Sequence, residues 1–348
     1  MNFTAVTWAL SAAALFGFST PAAKLLLGHV DPWILAGLFY LGSGLGLALW
    51  RTLRKPKVNA AEAALTRRDL PWFAGAILSG GVVGPVLLMV GLSLTGAAAA
   101  SLLLTLEGVA TALIAWFVFH ENFDRRIAVG MGCIAAGVAV LSWQGTASIA
   151  GLAGPLAIVG ACIAWGIDNN LTRKVSLADP VQIAMIKGLA AGSVNLALGL
   201  WAGAGFPAMQ VVFAAAGVGF LGYGVSLVLF VLALRELGAA RTGAYFATAP
   251  FLGAVAATVA LGDPVTVQLA AAGALMGLGT WLHLTERHAH EHVHEPTEHA
   301  HPHVHDEHHR HEHGPGDPAG EPHAHRHHHG RLPHAHPHAP DMHHQHRH

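Results

Sequence analysis

The chain has 348 residues, of which 53% are hydrophobic and only 11% charged, with a formal net charge of −1. Soluble domains carry about 25% charged residues, so a water-exposed globule of this size would lack the charge to cover its surface, and an integral membrane protein is expected instead. The near-zero net charge averages an almost uncharged body and a polar end, and it points to no nucleic-acid partner.

The N-terminal apolar run has no basic residue before it and no clear cleavage site, so it reads as a first membrane helix rather than a signal peptide. A span needs about 20 mostly apolar residues. Ten stretches qualify: about 5–27, 31–50, 71–93, 96–119, 127–144, 152–171, 180–202, 208–234, 238–261 and 264–284. Trp33, Trp50, Trp72, Trp143, Trp201 and Trp281 fall near their ends, where a bilayer places interfacial aromatics. Cys133 and Cys162 lie within apolar runs and read as small packing residues.

Lys and Arg fix an expected orientation. One set of loops holds Arg51, Arg54, Lys55, Lys57, Arg67, Arg68, Arg125, Arg126, Arg173, Lys174, Arg235 and Arg241; the alternate set holds only Lys24. The positive-inside rule makes the first set cytoplasmic, with both termini on that side of the cell's inner (plasma) membrane.

The two halves match each other in order. Leu15-Phe16-Gly17-Phe18 aligns with Ala164-Trp165-Gly166-Ile167, and Asp31-Pro32 with Asp179-Pro180. Gly96-Ala97-Ala98 aligns with Gly238-Ala239-Ala240, and His120-Glu121-Asn122 with Gly262-Asp263-Pro264. Five helices per repeat turn the second repeat upside down, the pattern of secondary transporters with a site between the halves. The fold expected is all-α: two inverted five-helix repeats, 1–145 and 146–286, then a polar tail, 287–348, without ordered structure. No ATPase motif is present, so a gradient would drive transport, and no enzyme activity or required cofactor is expected.

The segments "LFGFSTPAAKLLL" (15–27), "GAAAASLLLTLEGVATALIAWFVFHENF" (96–123) and "GAARTGAYFATAPFLGAVAATVALGDPVT" (238–266) resemble the drug/metabolite transporter superfamily in its ten-helix EamA-type branch. The resemblance covers residues 5–284. It implies a small-molecule transporter and names no cargo. Three positions depart from the family pattern: Gly108 stands where proline is expected, His120 replaces the glycine of a Gly-Glu pair, and Asp263 replaces a glutamate.

Ionisable groups at bilayer depth cost roughly 2.5–3.5 kcal/mol on insertion scales, so each needs a reason. Glu107, in the fourth span, is either a structural carboxylate or a group that binds a proton or a cationic part of the cargo. Asp168 and Lys187 are placed to pair across the sixth and seventh spans, as a fixed structural pair or a cytoplasmic gate. Asn169 and Asn170 could bond cargo or a neighbouring helix. Pro21 is expected to break the first helix, and Pro250 the ninth, with Tyr245 and Thr248 beside it at the depth of Glu107. Glu121 and Asp263, at helix ends, read as surface or capping carboxylates.

Of 27 histidines only His29, His120 and His283 lie in the body. The rest fill the tail: His288, His290, His292 and His294, then His299, His301, His303 and His305, and later the triplet His327-His328-His329. Neutral imidazoles ligate Zn, Ni, Co or Cu, so the tail is expected to bind divalent metal with high capacity and little selectivity. Its composition cannot bury a core.

The function expected is an exporter of small metabolites or drugs, working by alternating access, with a metal-binding cytoplasmic tail. The alternatives are a divalent-cation transporter whose tail collects the ion, and a metal sensor or store without transport. The expected partners are the bilayer and a small cargo, and a homodimer is compatible with the sequence.

Overall fold

The computed structural model describes residues 3–53, 65–119, 125–143, 149–175, 179–230, 232–233, 242, 245–284, 288–293, 297–303, 323–329 and 333–338. Ten helices follow one another among them. α1 spans Phe3–Leu26 and α2 Pro32–Leu53. α3 spans Leu70–Leu94 and α4 Ala97–Phe119. α5 spans Arg125–Ser142, α6 Ile149–Lys174 and α7 Pro180–Trp201. α8 spans Met209–Phe230. α9 covers Ala249–Leu261 and α10 Val267–Leu284. Eight are long and apolar enough to cross a bilayer, and α9 and α10 are shorter. The expected start of the ninth span, 238–244, lies almost wholly outside the described residues.

The duplicated motifs do matching work. The Asp31 carboxylate accepts the Trp33 N–H at 2.8 Å and the Asp179 carboxylate accepts the Val181 N–H at 2.9 Å. Each is followed by proline at the first helical position, so each Asp-Pro pair caps a helix start. Asp263 caps across the repeats: its carboxylate accepts the Ala98 N–H at 2.8 Å, at the start of α4. Lys24 donates to the carbonyls of Leu92 (2.6 Å) and Thr95 (2.8 Å), closing the end of α3. Gly262, with φ +71°, ends α9 in the left-handed conformation glycine adopts without strain.

Helix contacts obey the repeat. α2 lies along its counterpart α7, and α5 along its counterpart α10. α1 packs on α9 as α6 packs on α4, and α3 meets α7 as α8 meets α2. Glycines allow the approach. A Cβ on Gly37 would sit 2.7 Å from the Leu196 nitrogen, and one on Gly188 would sit 2.7 Å from the Gly44 nitrogen. The core holds Ile34, Leu35, Phe39, Leu88, Met89, Leu103 and Ile158. Outward positions are also apolar, as at Phe213 and Val259, which suits a lipid surround. Cys133 and Cys162 are free, and Cys162 is buried.

Three departures from regular helix set up the site. α4 is interrupted at Leu104–Thr105, between Ala97–Leu103 and Leu106–Phe119. α9 is preceded by a helical turn at Tyr245–Phe246, interrupted at Ala247–Thr248 and resumed with Pro250 in its first turn. α3 and α8 each contain a π-helical segment, Ile77–Val83 and Phe220–Val225. Pro21 corrects the expectation made for it: α1 runs unbroken through it. The carbonyl that proline deprives of a donor, Gly17 O, lies under α9, where a Cβ on Gly253 would come within 2.8 Å of it.

The all-α description holds for the body. In the tail, β1 (His288–Val293) pairs antiparallel with β4 (Pro333–His338), and β2 (Thr297–His303) with β3 (His323–His329). The His-X-His alternation has the two-residue period of a strand, and backbone pairing needs no core. The register sets His288 opposite His338, His290 opposite His336 and His292 opposite His334. His294 and His305 lie outside the described residues.

Candidate functional site

The interruption of α4 places Glu107 in the first turn of the helix that resumes at Leu106. Thr105 donates its hydroxyl to the Leu102 carbonyl at 2.8 Å, which satisfies a carbonyl at the break. In the second repeat Thr248 does the same to Tyr245 O at 2.6 Å. The two breaks therefore use one device, although only α9 has a proline.

The Glu107 carboxylate accepts a hydrogen bond from Asn169 Nδ2 at 3.0 Å. The same amide reaches Thr111 Oγ1 at 3.1 Å, and Thr111 donates to Glu107 O at 2.8 Å. Asn170 is buried and spends its amide on Thr111 O (3.1 Å) and Gly166 O (2.8 Å). Asn170 thus ties α6 to α4, while Asn169 is exposed and free to exchange partners. No Lys, Arg or His forms an ion pair with Glu107 among the described residues.

Asp168 lies on the buried side of α6. It pairs with Lys187 of α7 and accepts the Thr172 hydroxyl at 2.9 Å. Asp168 and Lys187 pair with each other, and Glu107 is left without an opposite charge among the described residues. Tyr245 and Thr248 sit at the α9 break, where no described hydrogen bond joins them to Glu107 or Asn169.

Four further groups were not singled out from the sequence as part of the site. Tyr40 Oη and Trp165 Nε1 both donate to Gly80 O, at 2.7 and 2.9 Å. Asn195, fully buried on α7, donates to Gly81 O at 3.0 Å. Thr111 completes the Glu107–Asn169 bridge. A lone asparagine in an apolar span is the one of these that polarity could have flagged. Among the described residues no three His, Cys, Asp or Glu side chains come together as a metal site.

Comparisons with known proteins agree with this architecture. The chain is 27% identical over 287 residues to a protein of Methanothermobacter thermautotrophicus named only as an uncharacterized transporter, covering 78% of this chain and 84% of that one. It is 25% identical over 267 residues to the uncharacterized transporter YvbV of Bacillus subtilis, covering 74% and 84%. A crystal structure matches with a TM-score of 0.56 at 20% identity, over 80% of this chain and 94% of that one, which shows a shared fold. Two successive segments, residues 3–143 and 152–285, match the EamA-like transporter family, the same halves that the helix contacts relate to each other. This multi-pass helical membrane protein belongs to the EamA-like transporter family.

Proposed function

We propose that the protein exports small organic molecules by alternating access between its two repeats, with Glu107 and Asn169 binding the cargo or its coupling proton. One observation carries this reading. Glu107 sits where a membrane helix restarts, with a single described amide donor and no described counter-charge. An intramembrane carboxylate in that setting needs a proton or a cationic group to complete it. Broken helices are where transporters build such sites.

The asymmetry of Lys and Arg supports cytoplasmic termini. The composition of the tail supports divalent-metal binding there. That composition also favours the second reading, a divalent-cation transporter. Against it stands the lack of a clustered ligand set among the described residues of the body, because an ion path needs several ligands at one depth.

A single comparison tests both readings. The full chain, a truncation after Arg287 and Glu107→Gln are expressed in a metal-sensitive host, with cell content of Zn, Ni, Co and Cu measured. The same set is run against an amino-acid and drug panel. Unchanged metal content together with a cargo whose export needs Glu107 supports the first reading. Metal content that follows expression of the full chain replaces it with the second.

A further inference from the structure

The π segments of α3 and α8 occupy corresponding places. Ile77 and Phe220, where they begin, are separated by the same offset as Gly96 and Gly238 to within one residue. A π turn widens the helix and disturbs its bonding, which frees carbonyls and makes it a point of bending. How the surrounding helices treat those carbonyls differs sharply between the repeats.

Around α3 the carbonyls are held. Gly80 O receives Tyr40 and Trp165, and Gly81 O receives Asn195. The carboxylate of Asp168 lies against Gly80 where a Cβ would otherwise stand, and Lys187 fixes that carboxylate. Around α8 no described side chain donates to a carbonyl of Phe220–Val225. Tyr223 instead touches the rings of Phe16, Phe39 and Tyr40 at centroid distances of 5.8, 5.7 and 5.5 Å.

The repeat alignment gives the cause. Trp165 corresponds to Phe16, which has no N–H. Asp168 corresponds to Ser19, whose hydroxyl donates to Phe16 O at 2.6 Å and meets the Tyr223 hydroxyl rather than a backbone carbonyl of the π segment. By the Asp31–Asp179 offset, Lys187 corresponds to Phe39 and Asn195 to Leu47. Two of the three donors, and the Lys187-held carboxylate, that grip the first π segment are thus replaced by apolar groups or a serine hydroxyl around the second, and the third donor, Tyr40, falls on Gly188 by the same offset. Directional bonds resist bending, whereas ring faces slide.

We propose that the π segment of α8 is the working hinge of this transporter and that the matching segment of α3 is pinned as a strut. The proposal rests on the alternating-access reading for its purpose, but its motion can be read without any cargo. The full-length chain, with Cys133→Ala and Cys162→Ala, is placed in lipid nanodiscs and spin-labelled in two ways. One pair, Phe213→Cys and Leu227→Cys, brackets the α8 segment. The other, Ala74→Cys and Leu87→Cys, brackets the α3 segment over a similar length.

Pulsed electron–electron distance measurements are expected to give a broad or two-peaked distribution for the α8 pair and a single narrow one for the α3 pair. Adding Phe16→Trp and Leu47→Asn, which supplies two of the missing donors, is expected to narrow the α8 distribution. Equal widths in the otherwise unaltered protein, or a broader α3 distribution, overturn the proposal, and that comparison stands even if the grafted variant fails to fold. Loss of every transport signal alongside unequal widths would instead count against the transport reading and leave the hinge standing.

Discussion

Asp168 and Lys187 place two opposite charges on adjacent helices with little water around them: their side chains are 7% and 14% exposed. Removing one partner strands the other, which in buried pairs costs about 3–5 kcal/mol. Asp168→Asn or Lys187→Met alone is therefore expected to lower the unfolding temperature in detergent markedly, and the double variant to regain most of the loss. A double variant no more stable than either single one would show that the pair does not act as a unit. Glu107→Gln is expected to behave differently. It keeps the size of the side chain, leaves stability within about 1 kcal/mol and abolishes transport of any cargo the panel identifies. Glu107, Asp168, Asn169 and Lys187 were legible in sequence because an ionisable or amide group in an apolar run stands out. Tyr40, Trp165 and Thr111 were not, because their partners are backbone carbonyls and a bridging amide that exist only once the helices depart from regular geometry.

Among the helices, the closest approaches are at glycine. α2 meets α7 backbone to backbone, and a Cβ on Gly192 would lie 2.5 Å from the Leu41 nitrogen. Gly192→Val is expected to cost about 1–3 kcal/mol or more through overpacking. Gly132 of α5 has nothing within 4 Å of the place a Cβ would take, so Gly132→Ala is expected to be neutral or to stabilise by up to about 1 kcal/mol, the helix-propensity difference. Thermal unfolding of the two variants side by side checks the pair, and equal losses would contradict the packing described. The sequence signalled these helices well, since each is a long apolar run, and it signalled the α9 break through Pro250. It did not signal the break in α4. There Gly108 stands where proline was expected, and the turn at Leu104–Thr105 is held by a threonine hydroxyl, a residue that in most helices merely back-bonds without interrupting them. Pro21 misled for the converse reason: α1 is continuous through it, with α9 packed closely at Gly17 and Gly253.

For the whole molecule, the body and the tail answer to different physics, and they can be separated by experiment. The body has its own helices, caps and inter-repeat packing, built between body residues. Truncation after Arg287 is expected to leave membrane insertion and unfolding temperature unchanged, while equilibrium dialysis against Zn or Ni shows most of the bound metal gone. Metal held by imidazole must also be displaced by protons, so the full chain is expected to release its metal as pH falls below neutrality. Orientation is the remaining whole-molecule consequence. By the positive-inside rule, twelve basic residues on one set of loops against Lys24 on the other would put the tail in the cytoplasm. In sealed inside-out vesicles an added protease should therefore remove the tail, and in right-side-out vesicles it should leave the tail intact. The opposite pattern would invert the proposed topology, put the histidines outside the cell and leave Asp168 and Lys187 near the outer mouth, which would remove the case for a cytoplasmic gate.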